Sequence, residues 1–185
     1  MTEQAKTAPE LTGRPPLPEP WLRGTLTGIP PVARAVLHSL ELAREDVIKW
    51  CAGLDQEELD AWPLGLPSAA FQLRHIARSL DRFVSYAEGR ALNERQLADL
   101  ASEKEPGESK EEVFREFELG LSMAGQWLLE TLGQPAERPV KIGRKGLSTT
   151  FGGLLVHMAE HTQRHVGQAV TTAKVVMAQR TAGGS

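Results

Sequence analysis

One cysteine in 185 residues excludes an internal disulfide framework. Cys51 stands in the apolar run VIKWCAGL, where a buried, reduced thiol is expected, and this suits a reducing cytoplasm. The opening MTEQAKTAPE lacks the basic start and apolar core of a secretory leader. No stretch approaches the ~18 consecutive apolar residues of a membrane span. Neither secretion nor membrane insertion is expected, and the cytoplasm is the expected location. A strong positive charge is missing too: the formal net charge is -3, which argues against general nucleic-acid binding. The chain contains no G-x-S-x-G, no P-loop and no G-x-G-x-x-G, so hydrolase triads and nucleotide-binding folds have no support.

What is present has the composition of one ordinary domain, 41% hydrophobic and 24% charged, with residues enough to bury roughly 70% of the unfolded surface. Charge is unevenly spread. Residues 102 to 118 hold seven Glu against two Lys and one Arg, which reads as a solvated helix face. Residues 138 to 180 hold four Arg and three Lys against Glu160 alone, and the RKG at 144 to 146 could help attract an anionic substrate.

Residues 1 to 20 are polar and hold five of the twelve prolines, which predicts an extended arm. A domain is expected over 21 to 180, with a flexible tail over 181 to 185. PPVARAVLHSLELAREDVIKWCAGL opens with prolines and then spaces Val36, Leu37, Leu40, Val47 and Trp50 as one helix. Asp55 and Glu58 form a capping-box pair for a short connector helix. Pro67 and Ser68 start a second long helix, which Gly89 stops. After a Glu-rich connector, Ser109 and Glu112 open a third, with Val113, Phe117, Leu121, Ala124 and Leu128 on one face. PVKIGRKGLSTT, around Gly143 and Gly146, predicts a short hairpin or irregular loop. From Thr150, a candidate N-cap, a last helical pattern runs to about Gln179. The expected fold is all-α, an antiparallel four-helix bundle with that hairpin or loop before the last helix.

Three of the five histidines fall within HMAEHTQRH at 157 to 165. At about 100° per residue, Leu154, Met158, His165, Thr172 and Val176 lie within about 60° of His161, so His161 and His165 belong to a core-facing apolar stripe. His157 and Gln168 sit on its edge. A neutral imidazole buried without a partner costs a few kcal/mol, and several would consume much of a total stability of about 5 to 15 kcal/mol. A divalent ion supplies a shared partner, because histidines four apart on a helix are separated by about 6 Å along the axis and can converge on one ion. A third ligand must come from elsewhere. His38 shares its face with Arg34, Glu41 and Glu45 and is expected to be exposed. His75 lies mid-helix but points about 160° away from the Leu73, Ile76, Ala77, Leu80, Val84 stripe, with Phe71 and Tyr86 on its own side. The pattern alone leaves its role open.

His157 to His161 also spells H-x-x-E-H, the inverted zinc-protease signature. Such enzymes take an acidic ligand downstream, and this chain has no Asp or Glu after Glu160. The forward signature fails as well, since Met158 and Thr162 stand where it needs glutamate.

LRHIARSLDRF together with HMAEHTQRHVGQA resembles the DinB/YfiT-like metalloprotein family over roughly residues 25 to 178. The resemblance implies a four-helix bundle whose metal is held by one histidine of the second helix and two of the last, here His75, His161 and His165. Where members of that family often end in H-R-G-Q, this chain has His165-Val166-Gly167-Gln168. His157 matches a histidine that often precedes the ligand pair, and with Gln168 it is expected to orient the ligands by hydrogen bonds.

Three neutral imidazoles would leave the full charge on one zinc or nickel ion and at least one open position, as at a catalytic site. The resemblance implies a transferase or isomerase that uses a low-molecular-weight thiol as cosubstrate. A metal-hydroxide hydrolase and a non-enzymatic, stress-related metal-binding protein are the alternatives. A homodimer is also expected. Leu155, Ala159, Val166, Val170, Ala173 and Met177 form a second apolar stripe about 120° to 180° from His161, which a second copy or the segment from Trp21 to about Pro31 could cover.

Overall fold

The computed structural model describes residues 17–24, 26–105 and 109–183. Most of the arm expected over residues 1 to 20, and the last two residues of the expected tail, lie outside the described residues. Six α-helices and one hairpin are present among them: α1 (Pro31–Cys51), α2 (Gln56–Asp60), α3 (Ala69–Ala87), α4 (Glu94–Ser102), α5 (Lys110–Glu130), β1 (Pro139–Ile142), β2 (Leu147–Thr150) and α6 (Phe151–Gly183). The all-α expectation holds at that level, and the region before the last helix is a hairpin.

The helix ends follow from local chemistry. Pro31 opens α1, where a missing N–H costs nothing. Asp55 and Glu58 form the full reciprocal box at the start of α2, with bonds of 2.9 and 3.0 Å. The Ser68 hydroxyl accepts the Phe71 N–H at 3.1 Å to start α3, and Gly89, at φ 71°, follows its end. Ser109 caps α5 through the Glu112 N–H at 3.2 Å. The Thr150 hydroxyl accepts from the Gly153 N–H at 3.1 Å and starts α6. Strands β1 and β2 pair antiparallel, Pro139 opposite Thr150 and Ile142 opposite Leu147, across a loop whose Gly143 and Gly146 both take positive φ.

The core lies between the four long helices. α1 packs on α6 and α5, and α3 packs on α5 and α6. Val36, Val47, Leu73, Ile76, Leu80, Leu121, Leu128 and Met158 are essentially inaccessible to solvent within it. A Cβ on Gly120 would stand 2.7 Å from the Ala77 Cα, so a side chain there would force α5 away from α3. No described helix is long and apolar enough to cross a membrane.

Three expectations need correction. The second apolar stripe of α6 is not a free surface: Leu155, Val166 and Ala173 are buried, and Ala159, Val170 and Met177 pack against the core. Helix α1 covers this side, with the Ser39 hydroxyl donating to the Ala159 carbonyl at 3.2 Å and Gln163 donating to the Ser39 carbonyl at 2.8 Å. The stripe therefore gives no ground for a dimer. His38 is half-buried rather than exposed. The turn at Pro20–Leu22 packs against α1, and Arg23 reaches Glu45 at 2.5 and 2.6 Å and Glu41 at 3.2 Å, so charges expected in water are paired on that face. The Glu-rich connector contains a helix, α4. Asn93 and Gln96 form its capping box, and Gln96 is buried against Asp81 and Ser85.

Candidate metal centre

Helix α3 supplies one histidine and α6 supplies two. The 33 residues of α6 run without a break, so His161 and His165 stand one turn apart on one face. α3 is buried on nearly every side, between α5, α6 and α4. The face carrying Phe71 and His75, which departs from the main apolar stripe, is half-buried. One ligand nitrogen from each of His75, His161 and His165 lies within 4.8 Å of the other two. Ring centroids are 4.3 Å apart for His75 and His165, 4.5 Å for His161 and His165, and 5.1 Å for His75 and His161.

Each outer nitrogen that has a partner meets an oxygen. His165 Nδ1 is 2.7 Å from the Gln72 amide oxygen, which can only accept, so Nδ1 carries the proton and Nε2 keeps its lone pair. His75 Nδ1 is 2.8 Å from a Glu103 carboxylate oxygen, to which it donates. The other Glu103 oxygen accepts from Arg82 at 2.5 Å, and Arg82 also donates to Ser79 at 2.9 Å. Burial alone would push the Glu103 carboxyl up, but the hydrogen bonds from His75 and Arg82 outweigh it and hold it below the ordinary range. Burial, reinforced by the neighbouring imidazoles, pushes His161 down to about 3. His165 falls to about 4 for the same first reason, reinforced by the nearby His75 and Arg164 and partly opposed by Glu103. Both rings are neutral at pH 7.

Of the remaining residues expected at the site, Gln168 is exposed one turn beyond His165, and the hydrogen bond that orients His165 is made with Gln72 instead. The His157 side chain is 42% exposed, and its Nδ1 meets the Glu160 carboxylate at 2.7 Å, not a histidine of the cluster. Its ring lies against Phe83, which is also 5.2 Å from His161. Glu160 points to solvent with Arg164, which agrees with rejecting the protease signature. Sequence reasoning missed Gln72 and Glu103. Gln72 carried a signal, a polar residue one turn before His75 in an otherwise apolar segment. Glu103 carried none, because its place depends on how α4 folds back on α3. Within the acidic run, Glu103 is buried, and Glu116 and Glu118 pair with Arg78 and Arg44, so the run is only in part a solvated face. Cys51 is buried, its thiol pushed up to about 12 by desolvation, so it is inert. A cavity of about 550 Å³ between α3 and α5, lined by Leu119, Met123 and Trp127, contains none of the histidines.

The donor set fits a divalent ion. Its nitrogens converge, two rings are neutral, and two have their outer N–H fixed by an oxygen, the usual support of metal-bound histidine. Fold and cluster together define a helical protein with a three-histidine site able to hold a metal. The family model of the DinB superfamily matches residues 39–169, a span that includes the whole cluster and more than half of the chain, and the chain belongs to that superfamily. No match is found among curated proteins or among solved structures.

Proposed function

We propose that the protein is a metal-dependent enzyme that activates or transfers a small-molecule thiol at a divalent centre formed by His75, His161 and His165, within an antiparallel four-helix bundle of the cytoplasm. The observation that carries this reading is the donor set: three imidazole nitrogens within 4.8 Å, His161 and His165 kept neutral chiefly by burial, and no carboxylate among the three. Zinc or nickel suits such ligands, keeps its full charge among them, and when bound would hold a thiol as its thiolate or lower the pKa of water to about 7. Gln72 and Glu103 fix two of the rings by accepting from their Nδ1. Phe83, buried against His161, keeps water from that side of the cluster. The preference for a thiol over water as the activated group rests on the likeness to thiol-using members of the family.

The test is elemental analysis after dialysis, followed by incubation with a panel of small thiols and the electrophile monochlorobimane, alongside a panel of hydrolase substrates. About one divalent ion per chain and thiol-dependent turnover, lost on chelation, are expected. Turnover of the hydrolase panel alone would make the protein a hydrolase. Full metal content with silence in both panels would leave a metal-binding, stress-related role.

A further inference from the structure

On α3 the residue one turn before His75 is Phe71. Its ring stacks on the His75 imidazole with centroids 5.5 Å apart and planes 21° from parallel. Beyond it lies Trp62, whose ring centroid is 6.3 Å from that of Phe71. The series Trp62, Phe71, His75 thus runs from solvent to the cluster. Trp62 is 46% exposed, although a large aromatic side chain gains most from burial. The turn that carries it is held in place: Pro63 is buried, the Leu66 N–H donates to the Pro63 carbonyl at 2.9 Å, and Thr172 of α6 donates to the Pro67 carbonyl at 2.9 Å. In the same turn Leu64 is 84% exposed at φ 54°, a backbone conformation that costs leucine energy and is kept only where the surroundings impose it. A fixed turn therefore leaves two large apolar side chains in water, and one of them, Trp62, meets the ring that stacks on His75.

Two of the cations near the cluster are already engaged. Arg82 is paired with Glu103, and Arg164 with Glu160.

We propose that Trp62 and Phe71 form an aromatic subsite at the mouth of the cluster, which takes the flat apolar body of the substrate and leaves its polar, metal-seeking end toward His75, His161 and His165. This rests on the metal-centre reading above and adds the class of molecule it serves: an aromatic or similarly flat apolar compound. Because the turn is already fixed, the subsite needs no ordering when the ligand arrives, which favours binding.

The test uses two ligands with the same metal-binding group, benzohydroxamate and acetohydroxamate, titrated calorimetrically into zinc-loaded protein whose zinc content has first been measured. One added stacking contact with its apolar burial should make benzohydroxamate about tenfold tighter. Trp62→Ala, at an exposed position, should bring the two affinities close together with zinc content unchanged, and Phe71→Leu should do the same. Equal affinities for the unmutated protein, or a preference that persists in Trp62→Ala, would overturn the subsite. Should Phe71→Leu fold poorly, Trp62→Ala decides alone. Absence of zinc from the unmutated protein would overturn the centre itself, and the subsite with it, before any ligand is added.

Discussion

At the scale of single residues, the cluster is held from outside by two buried groups. Gln72 is fully buried and spends its amide oxygen on His165. Glu103, also buried, divides its carboxylate between His75 and Arg82. Glu103→Gln removes the charge but can still accept the His75 N–H, whereas Glu103→Ala leaves both His75 and Arg82 without it. We expect zinc affinity to fall by about 10- to 100-fold in Glu103→Ala and in Gln72→Ala, as changes to such orienting partners do, and by less in Glu103→Gln. Competition with a fluorescent chelator measures it. Unchanged affinity in both alanine variants would show that the histidines need no orientation. His161 and His165 were legible in the sequence, because two imidazoles on an apolar stripe of one helix carry their own geometry. His75 was legible only through the family resemblance, since its face departs from its own helix's main stripe and is half-buried against segments distant in sequence. Glu103 was not legible at all: a glutamate in an acidic run looks solvated until α4 is seen to turn it inward.

At the scale of elements, the long helices could be read from period and caps, and their observed starts fall at Pro31, after Ser68, after Ser109 and after Thr150, where the capping residues stand. The short α4 was lost because nine residues give too little period, although Asn93 and Gln96 carried its capping box. The second stripe of α6 shows the opposite limit. Two apolar faces on one helix say that both are covered, but not by what, and here the cover is α1. Ala173 tests this directly, being fully buried on that stripe. Ala173→Glu would place a carboxylate inside the chain's own core, and we expect a loss of about 3 kcal/mol or more, seen as a much lower melting temperature or as failure to fold. A variant that kept its melting temperature and changed only its sedimentation would return the stripe to contact between copies.

At the scale of the whole molecule, site and stability are linked, because a cluster assembled from α3 and α6 exists only in the folded chain. An ion that binds the native state alone adds RT ln(1 + [L]/Kd), about 4 kcal/mol at 1,000 Kd. Chelation should therefore lower the melting temperature clearly, and restored zinc should raise it again. The chelated protein should also be acid-sensitive in a defined window. His161 and His165 titrate at about 3 and about 4 when folded, against 6.5 ordinarily, so between pH 6.5 and about 4 the unfolded chain binds more protons than the native one. Stability is then fully present above pH 6.5 and declines as the pH falls toward 4. Glu103, whose carboxyl is held below its ordinary range, adds a further loss at lower pH as it too is protonated. Thermal melts of chelated and zinc-loaded protein at pH 7.5, 6 and 5 measure both effects. A melting temperature indifferent to verified zinc removal would reduce the three histidines to ordinary residues of the core, and a chelated protein equally stable at pH 7.5 and 5 would show that their neutrality is not imposed by the fold.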